Sequence, residues 1–199
     1  MLQYYLITDR RAFRRPLHEV AQYAEESQVA YFQLREKDLS ARELLEHAEH
    51  LRCNLVHTKF IINGHLDVAI AAGADGVHLQ KDSIPIQVVR KKFPDLIIGY
   101  SAHSEDDLRY AEMHGASYAF LSPLFPPRSK QSNLKPIGIP KFQEWIAGCN
   151  IPVFALGGID ETNLREIEQI NCAGVAAISL FVNRIWPQSV DNGILKRND

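Results

Sequence analysis

Cysteine is scarce in this sequence: three residues, Cys53, Cys149 and Cys172, in a chain of 199. The odd number, the wide spacing and the lack of any CxxC exclude a disulfide framework and a structural zinc site. Buried or inert thiols are the expectation. Excess charge of either sign is also missing, with a formal net charge of −2, which argues against nucleic acid as a partner. No long apolar run occurs. The opening Met1 to Ile7 is too short to span a membrane, has no basic lead and runs directly into Thr8-Asp9-Arg10-Arg11. A cytoplasmic protein without a membrane partner is expected. With 46% hydrophobic and 23% charged residues, the chain has the composition of a globular protein long enough to bury a sizeable core. One domain over residues 1–199 is expected.

Short apolar runs alternate with amphipathic stretches throughout. Strand-like runs fall at Tyr4–Thr8, Tyr31–Arg35, Lys59–Asn63, Gly76–Gln80, Ile97–Ser101, Tyr118–Ser122, Pro152–Leu156 and Val175–Leu180. Between them, helical periodicity is read over Pro16–Glu26, after Ser40, and over Leu66–Ala72, Pro85–Phe93, Glu105–His114, Lys141–Ala147 and Glu161–Ile170. Ser40 with Glu43 forms a capping-box pattern, and Ser104 is a second N-cap. Strands buried on both faces and separated by helices make a parallel sheet. Eight of them most economically close into an α/β (β/α)8 TIM barrel, with an open doubly wound sheet as the alternative. The tail from Phe181 to Asp199, interrupted by Pro187 and Gly193, reads as a shortened C-terminal helix. A homo-oligomer contact would then cover the barrel wall beside it.

The stretch Tyr31-Phe-Gln-Leu-Arg-Glu-Lys37 starts as a strand and ends in charge. Alternation puts Phe32 and Leu34 on one face, and Tyr31, Gln33 and Arg35 on the other. An isolated charged pair at a strand end is most often solvated loop. A barrel, however, gathers its strand ends into one mouth, where its chemistry resides. Collecting those ends gives Asp9 and Arg10; Gln33, Arg35, Glu36 and Lys37; Asn63 and His65; Gln80, Lys81 and Asp82; Ser101 and His103; Ser122, Arg128, Ser129 and Lys130; Gly157 and Gly158; and Ile178 and Ser179. The set is polar and rich in cations, as an anion site requires. Gly157-Gly158 and Ile178-Ser179 follow the seventh and eighth strands, where barrels commonly hold phosphate on backbone amides. Arg35, Lys37 and Lys130 at one mouth would repel each other without a counter-charge.

Gln33-Leu-Arg-Glu-Lys37, Ile62-Asn63, Gly76-Val-His-Leu79, Ser101-Ala-His103, the loop Pro126 to Lys130, Gly157-Gly-Ile159 and Ile178-Ser179 together resemble the thiamin phosphate synthase/TenI family. The motifs follow the family's order over nearly the whole chain. The resemblance implies a transferase of thiamin biosynthesis that joins hydroxymethylpyrimidine diphosphate to thiazole phosphate and releases pyrophosphate with Mg²⁺. Gln33, Arg35, Lys37, Asn63, Ser101 and Lys130 would then bind the pyrimidine diphosphate, with Arg35, Lys37 and Lys130 carrying the catalytic charge. Ser129, Gly157, Gly158, Ile178 and Ser179 would hold the thiazole phosphate.

The pattern departs from synthases at Asn63-Gly64-His65, where a metal-binding aspartate would follow the asparagine. Asp82 is then the remaining candidate Mg²⁺ ligand. Asn-Gly is typical of TenI-like members, some of which are thiazole tautomerases, yet their catalytic histidine would fall near Pro123. His65 and His103 are the candidate acid–base groups for that alternative, and His78, in mid-strand, is read as structural. A non-catalytic paralogue that binds thiazole or thiamin phosphate is the third reading.

Overall fold

The computed structural model describes residues 2–126 and 134–185. In chain order these form β1 (Gln3–Ile7), α1 (Arg10–Phe13), α2 (Leu17–Glu26), β2 (Tyr31–Leu34), α3 (Ala41–Arg52), β3 (Lys59–Asn63), α4 (Leu66–Ala71), β4 (Gly76–Leu79) and α5 (Ile86–Lys92). They continue as β5 (Ile97–Ala102), α6 (Glu105–Met113), β6 (Tyr118–Leu121), α7 (Ile139–Ala147), β7 (Val153–Leu156), α8 (Leu164–Glu168), β8 (Gly174–Ala177) and α9 (Ser179–Ile185). Successive strands pair in parallel, and β1 pairs in parallel with β8 from Gln3↔Gly174 to Leu6↔Ala177. That last pairing closes the barrel and rules out the open sheet.

The period-two pattern of the strands separates two cores. Leu6, Phe32, Leu34, Phe60, Ile62, Val77 and Leu79 face outward and pack under the helices, together with Val20, Ala24, Leu44 and Ala48. Tyr5, Ile7, Ile61, Tyr118, Phe120, Phe154 and Ala176 point inward, with Tyr31 packed against them. The alternation expected for Tyr31 to Arg35 therefore holds, and it leaves Gln33 and Arg35 on the interior side. Helix starts follow local chemistry. Ser40 and Glu43 cap each other's backbone at the start of α3, and Ser104 accepts from the Asp107 amide at the start of α6.

Four local features differ from the sequence reading. First, α1 forms where no element was read, because the Asp9 side chain accepts from the amides of Arg11 and Ala12 at 3.2 and 3.3 Å. Second, α8 begins at Leu164 rather than Glu161. Asp160 Oδ1 takes the Thr162 amide and hydroxyl while Asn163 Oδ1 takes the Asp160 amide, and these side-chain bonds hold a turn in place of a helical one. Third, β8 stops at Ala177 instead of reaching Leu180, because the Phe181 and Val182 amides turn back to the Ile178 carbonyl. Finally, Cys53 is exposed, while Cys149 and Cys172 are half-buried. Of the two alternatives, buried or inert, Cys53 does not meet the first, because it ends α3 on the solvent side. Pro187 and Gly193 lie outside the described residues. No helix among the described residues is long and apolar enough to cross a membrane.

Candidate active site

A cavity of about 350 Å³ opens at the C-terminal ends of the strands. Ile7, Phe120 and Leu156 form its apolar part. Gln33, Arg35, Lys37, Asn63, His78, Gln80, Lys81, Asp82, Ser101, His103 and Ser122 supply its polar wall. Residues drawn from β1 to β7 and their following loops thus converge because the barrel closes, not because they are near in sequence.

The two cations that end β2 define the electrostatics. Arg35 is half-buried, and burial pulls its guanidinium below the ordinary value, an effect opposed by the charges of Asp9 and Glu36. Lys37 is also pulled down, first by the charge of Arg35 and then by partial burial. Arg35 therefore lacks solvation and the exposed Lys37 feels its charge, and an anion would relieve both costs. Lys81 adds a third cation, and Asp82 is the one carboxylate among the described lining residues.

Glu36 is not part of this wall. It is buried and accepts the Thr8 hydroxyl at 2.7 Å, the Arg10 amide at 3.1 Å and the Arg10 guanidinium at 3.2 Å. Arg10 also pairs with both oxygens of Asp38 at 2.6 Å. Thr8 Oγ1 in turn accepts the Arg35 amide at 2.9 Å. Glu36 and Arg10 thus stitch the β1 loop to the β2 loop and hold the backbone that presents Arg35.

Of the two candidate histidines, His103 lines the cavity and His65 does not. His103 Nδ1 donates to the Ser122 carbonyl at 2.8 Å, which leaves Nε2 as the basic nitrogen. His65 is exposed at the start of α4, with its Nδ1 3.6 Å from Asp67. His78 is a residue the sequence reading passed over as structural: it is both fully buried and a cavity-lining group. Its ring stacks on Phe120 with centroids 4.2 Å apart. Burial, reinforced by the Arg35 charge, pushes its pKa down to about 3, so the ring is neutral. The available signal was its phase, since Val77 and Leu79 face the helices and His78 must face the interior.

Gly157 and Gly158 follow β7, and Ile178 and Ser179 follow β8, beside one another because Leu156 pairs with Ala176. They lie next to the cavity, whose wall reaches Leu156. Both glycines have positive φ, +99° and +68°. A Cβ on Gly157 would come within 2.8 Å of the Pro123 Cα, and one on Gly158 within 2.5 Å of the Pro126 carbonyl. Glycine is therefore required here by conformation and by the close approach of the β6–α7 connection. Arg128, Ser129 and Lys130 lie outside the described residues.

A closed parallel barrel whose C-terminal mouth combines underneutralised cations with a glycine turn after β7 defines a phosphate-handling (β/α)8 enzyme. The family whose description reads thiamine monophosphate synthase matches residues 4–181. The chain belongs to that family. It is 37% identical to the thiamine-phosphate synthase of Pyrococcus horikoshii over 89% of this chain and 86% of the relative. Its identity to the thiamine-phosphate synthase of Clostridium tetani is 33%, over 90% of this chain and 88% of the relative. The solved structure of the thiamine phosphate pyrophosphorylase of Pyrococcus furiosus superposes with a TM-score of 0.81 at 34% identity, covering 89% of this chain and 86% of that one.

Proposed function

We propose that this protein, a single domain over residues 1–199, is a cytoplasmic thiamin phosphate synthase. It couples hydroxymethylpyrimidine diphosphate to thiazole phosphate and releases pyrophosphate. The observation that carries this reading is the pair Arg35 and Lys37, the first desolvated and the second pressed by the charge of the first, in a cavity whose described carboxylate is Asp82 alone.

Breaking the carbon–oxygen bond to the diphosphate leaves a growing negative charge on its oxygens. Fixed cations at that spot stabilise the transition state more than the ground state, which is the condition for faster chemistry. Arg35 and Lys37 serve this role, joined on the family resemblance by Lys130. The thiazole nitrogen is the nucleophile, so the protein supplies none. Gln33, Asn63 and Ser101 position the pyrimidine, and Ser129, Gly157, Gly158, Ile178 and Ser179 hold the thiazole phosphate. The donor set suits Mg²⁺ that is shared with the substrate. Asp82 would hold the ion through its carboxylate, with the amide oxygens of Asn63 and Gln80 in the same wall, and a diphosphate would add oxygens of the kind Mg²⁺ prefers. When bound, the ion adds Lewis-acid stabilisation of the leaving group.

The purified protein, incubated with both substrates and Mg²⁺, is expected to form thiamin phosphate and pyrophosphate in equal amounts. Absence of coupling beside rapid isomerisation of thiazole phosphate would replace this reading with the tautomerase. The geometry of His103, with Nδ1 held and Nε2 free to act as a base in the cavity, favours that as the second reading. Tight binding of thiazole phosphate without any turnover would instead identify a non-catalytic paralogue.

A further inference from the structure

The turn after β4 places two opposite charges side by side at the cavity mouth. Gln80 and Ser83 close it twice: the Ser83 amide donates to the Gln80 carbonyl at 2.9 Å, and the Gln80 amide donates to Ser83 Oγ at 2.9 Å. Lys81 and Asp82 are the two central residues of the turn, both exposed at its tip and both in the wall of the cavity. Neither is in an ion pair among the described residues. Pro85 then sets the start of α5 at Ile86, so the turn is short and anchored on either side.

Strands β2 and β4 flank β3, so their ends stand roughly 10 Å apart at a spacing of about 4.8 Å per strand. Arg35 and Lys37 occupy the β2 side of the mouth and Lys81 the β4 side. The interior below is filled. Gly99 pairs with His78 on one side and Tyr118 on the other, and a Cβ there would overlap the Tyr118 ring and hydroxyl and His78 Nδ1. His78 is neutral, and the other described interior side chains beneath Arg35 carry no positive charge. An anion in the cavity is therefore held at the level of the loops, between two positively charged sides. A monophosphate meets one side. A diphosphate meets both, because lysine carries its charge on a long, flexible stem.

We infer that Lys81 is a diphosphate-binding residue of this chain, which takes the outer phosphoryl group from the β4 side and lets the site hold a diphosphate without a metal ion. Asp82, beside it on the same turn, is the arm through which Mg²⁺ adds to that binding. Charge balance is the physical reason. Arg35, Lys37 and Lys81 share the described wall with one carboxylate, whereas Mg²⁺ is usually held by one or two carboxylates together with substrate phosphates. One exposed carboxylate recruits the ion weakly. A lysine on the same turn neutralises a phosphoryl oxygen directly, as a point charge. The inference rests on the synthase reading for the diphosphate, but the contact itself needs no coupling chemistry.

Calorimetry with inorganic pyrophosphate and inorganic phosphate, each in chelator and in Mg²⁺, tests it. The wild type in chelator is expected to bind pyrophosphate at least about tenfold more tightly than phosphate, the scale of one further charge-assisted contact. Lys81→Gln should lose about tenfold in pyrophosphate affinity in chelator and less than about twofold in phosphate affinity. Lys81→Arg should restore the pyrophosphate affinity. Lys91→Gln removes an exposed lysine from α5; it controls for net charge and should bind as the wild type does. Asp82→Asn should keep the metal-free affinity and lose the gain that Mg²⁺ confers. Undiminished pyrophosphate binding by Lys81→Gln in chelator, an equal loss for phosphate, or a wild type that binds pyrophosphate only with Mg²⁺ overturns the inference. Failure of the synthase reading looks different: pyrophosphate binds through Lys81, but no thiamin phosphate forms from the two substrates.

Discussion

At the scale of single residues, the structure separates charges that serve the site from charges that hold the chain. Arg35 is held in place against lost solvation, and Lys37 against the charge of Arg35. Arg35→Gln is therefore expected to raise KM for the pyrimidine diphosphate and lower kcat/KM by a hundredfold or more (~3 kcal/mol, as for loss of a charge-assisted contact). Its chemical denaturation midpoint should stay level or rise. Glu36 behaves in the opposite way. Removing it in Glu36→Ala strands the Thr8 hydroxyl and the Arg10 amide and leaves the Arg10 guanidinium to Asp38 alone, so a stability loss of about 2–4 kcal/mol is expected by urea denaturation. From sequence, Arg35 and Glu36 are adjacent charges at a strand end and look alike. Only the return of the β1 loop separates them, and that contact spans 28 residues.

His78 supplies a pH test at the same scale. Its folded pKa, about 3, lies below the ordinary 6.5, so the unfolded chain binds the extra proton first as pH falls. The stability contributed by keeping His78 neutral is fully present above 6.5 and is lost on acidification toward 3. Between pH 7 and pH 5 the loss is about 2 kcal/mol. Urea titrations at the two pH values should show it for the wild type, with a correspondingly shallower pH dependence for His78→Gln.

At the scale of elements, legibility in the sequence followed locality. Strand β3 is found at the residues its apolar run predicts, and the start of α3 is where its capping box predicts, because neighbours in sequence settle both. The shortened α8 and the early end of β8 were illegible for a complementary reason. The Asp160–Asn163 turn competes with the helix through side-chain bonds, and an apolar run such as Ile178 to Phe181 suits a strand and a buried helix equally. The glycine turn after β7 was read as an amide cradle. The structure adds that it is the seat of the β6–α7 connection. Gly158→Ala forces a Cβ against the Pro126 carbonyl and Phe125 at a backbone conformation unfavourable to alanine. A cost of about 2–4 kcal/mol is expected in denaturation experiments, with weakened thiazole phosphate binding by calorimetry as the adjoining connection shifts.

At the scale of the whole molecule, barrel closure converts scattered motifs into one cavity. The closed topology was accessible from eight alternating units, whereas the depth of the site was not. The sequence reading assembled the strand ends as a ring of polar groups and missed the floor beneath them, where Tyr5 and Tyr118 are buried aromatics by every local measure. Their polar ends matter only once β1 and β6 face each other across the interior. An anion held by the whole mouth should stabilise the whole barrel. Pyrophosphate with Mg²⁺ at a hundred times its Kd is expected to add about 2.7 kcal/mol, a rise in Tm of roughly 5–10 °C in a thermal melt for a chain of this size. Chelation of Mg²⁺ should reduce that rise if Asp82 and the diphosphate share the ion.

Gly99 gives the barrel an evolutionary constraint as well as a physical one. Its missing side chain is matched to two larger neighbours on different strands, so no single substitution at this position is neutral while Tyr118 and His78 stand. The three positions form one unit of inheritance. Relatives that place alanine or serine at the glycine should carry smaller residues at both the histidine and the tyrosine positions.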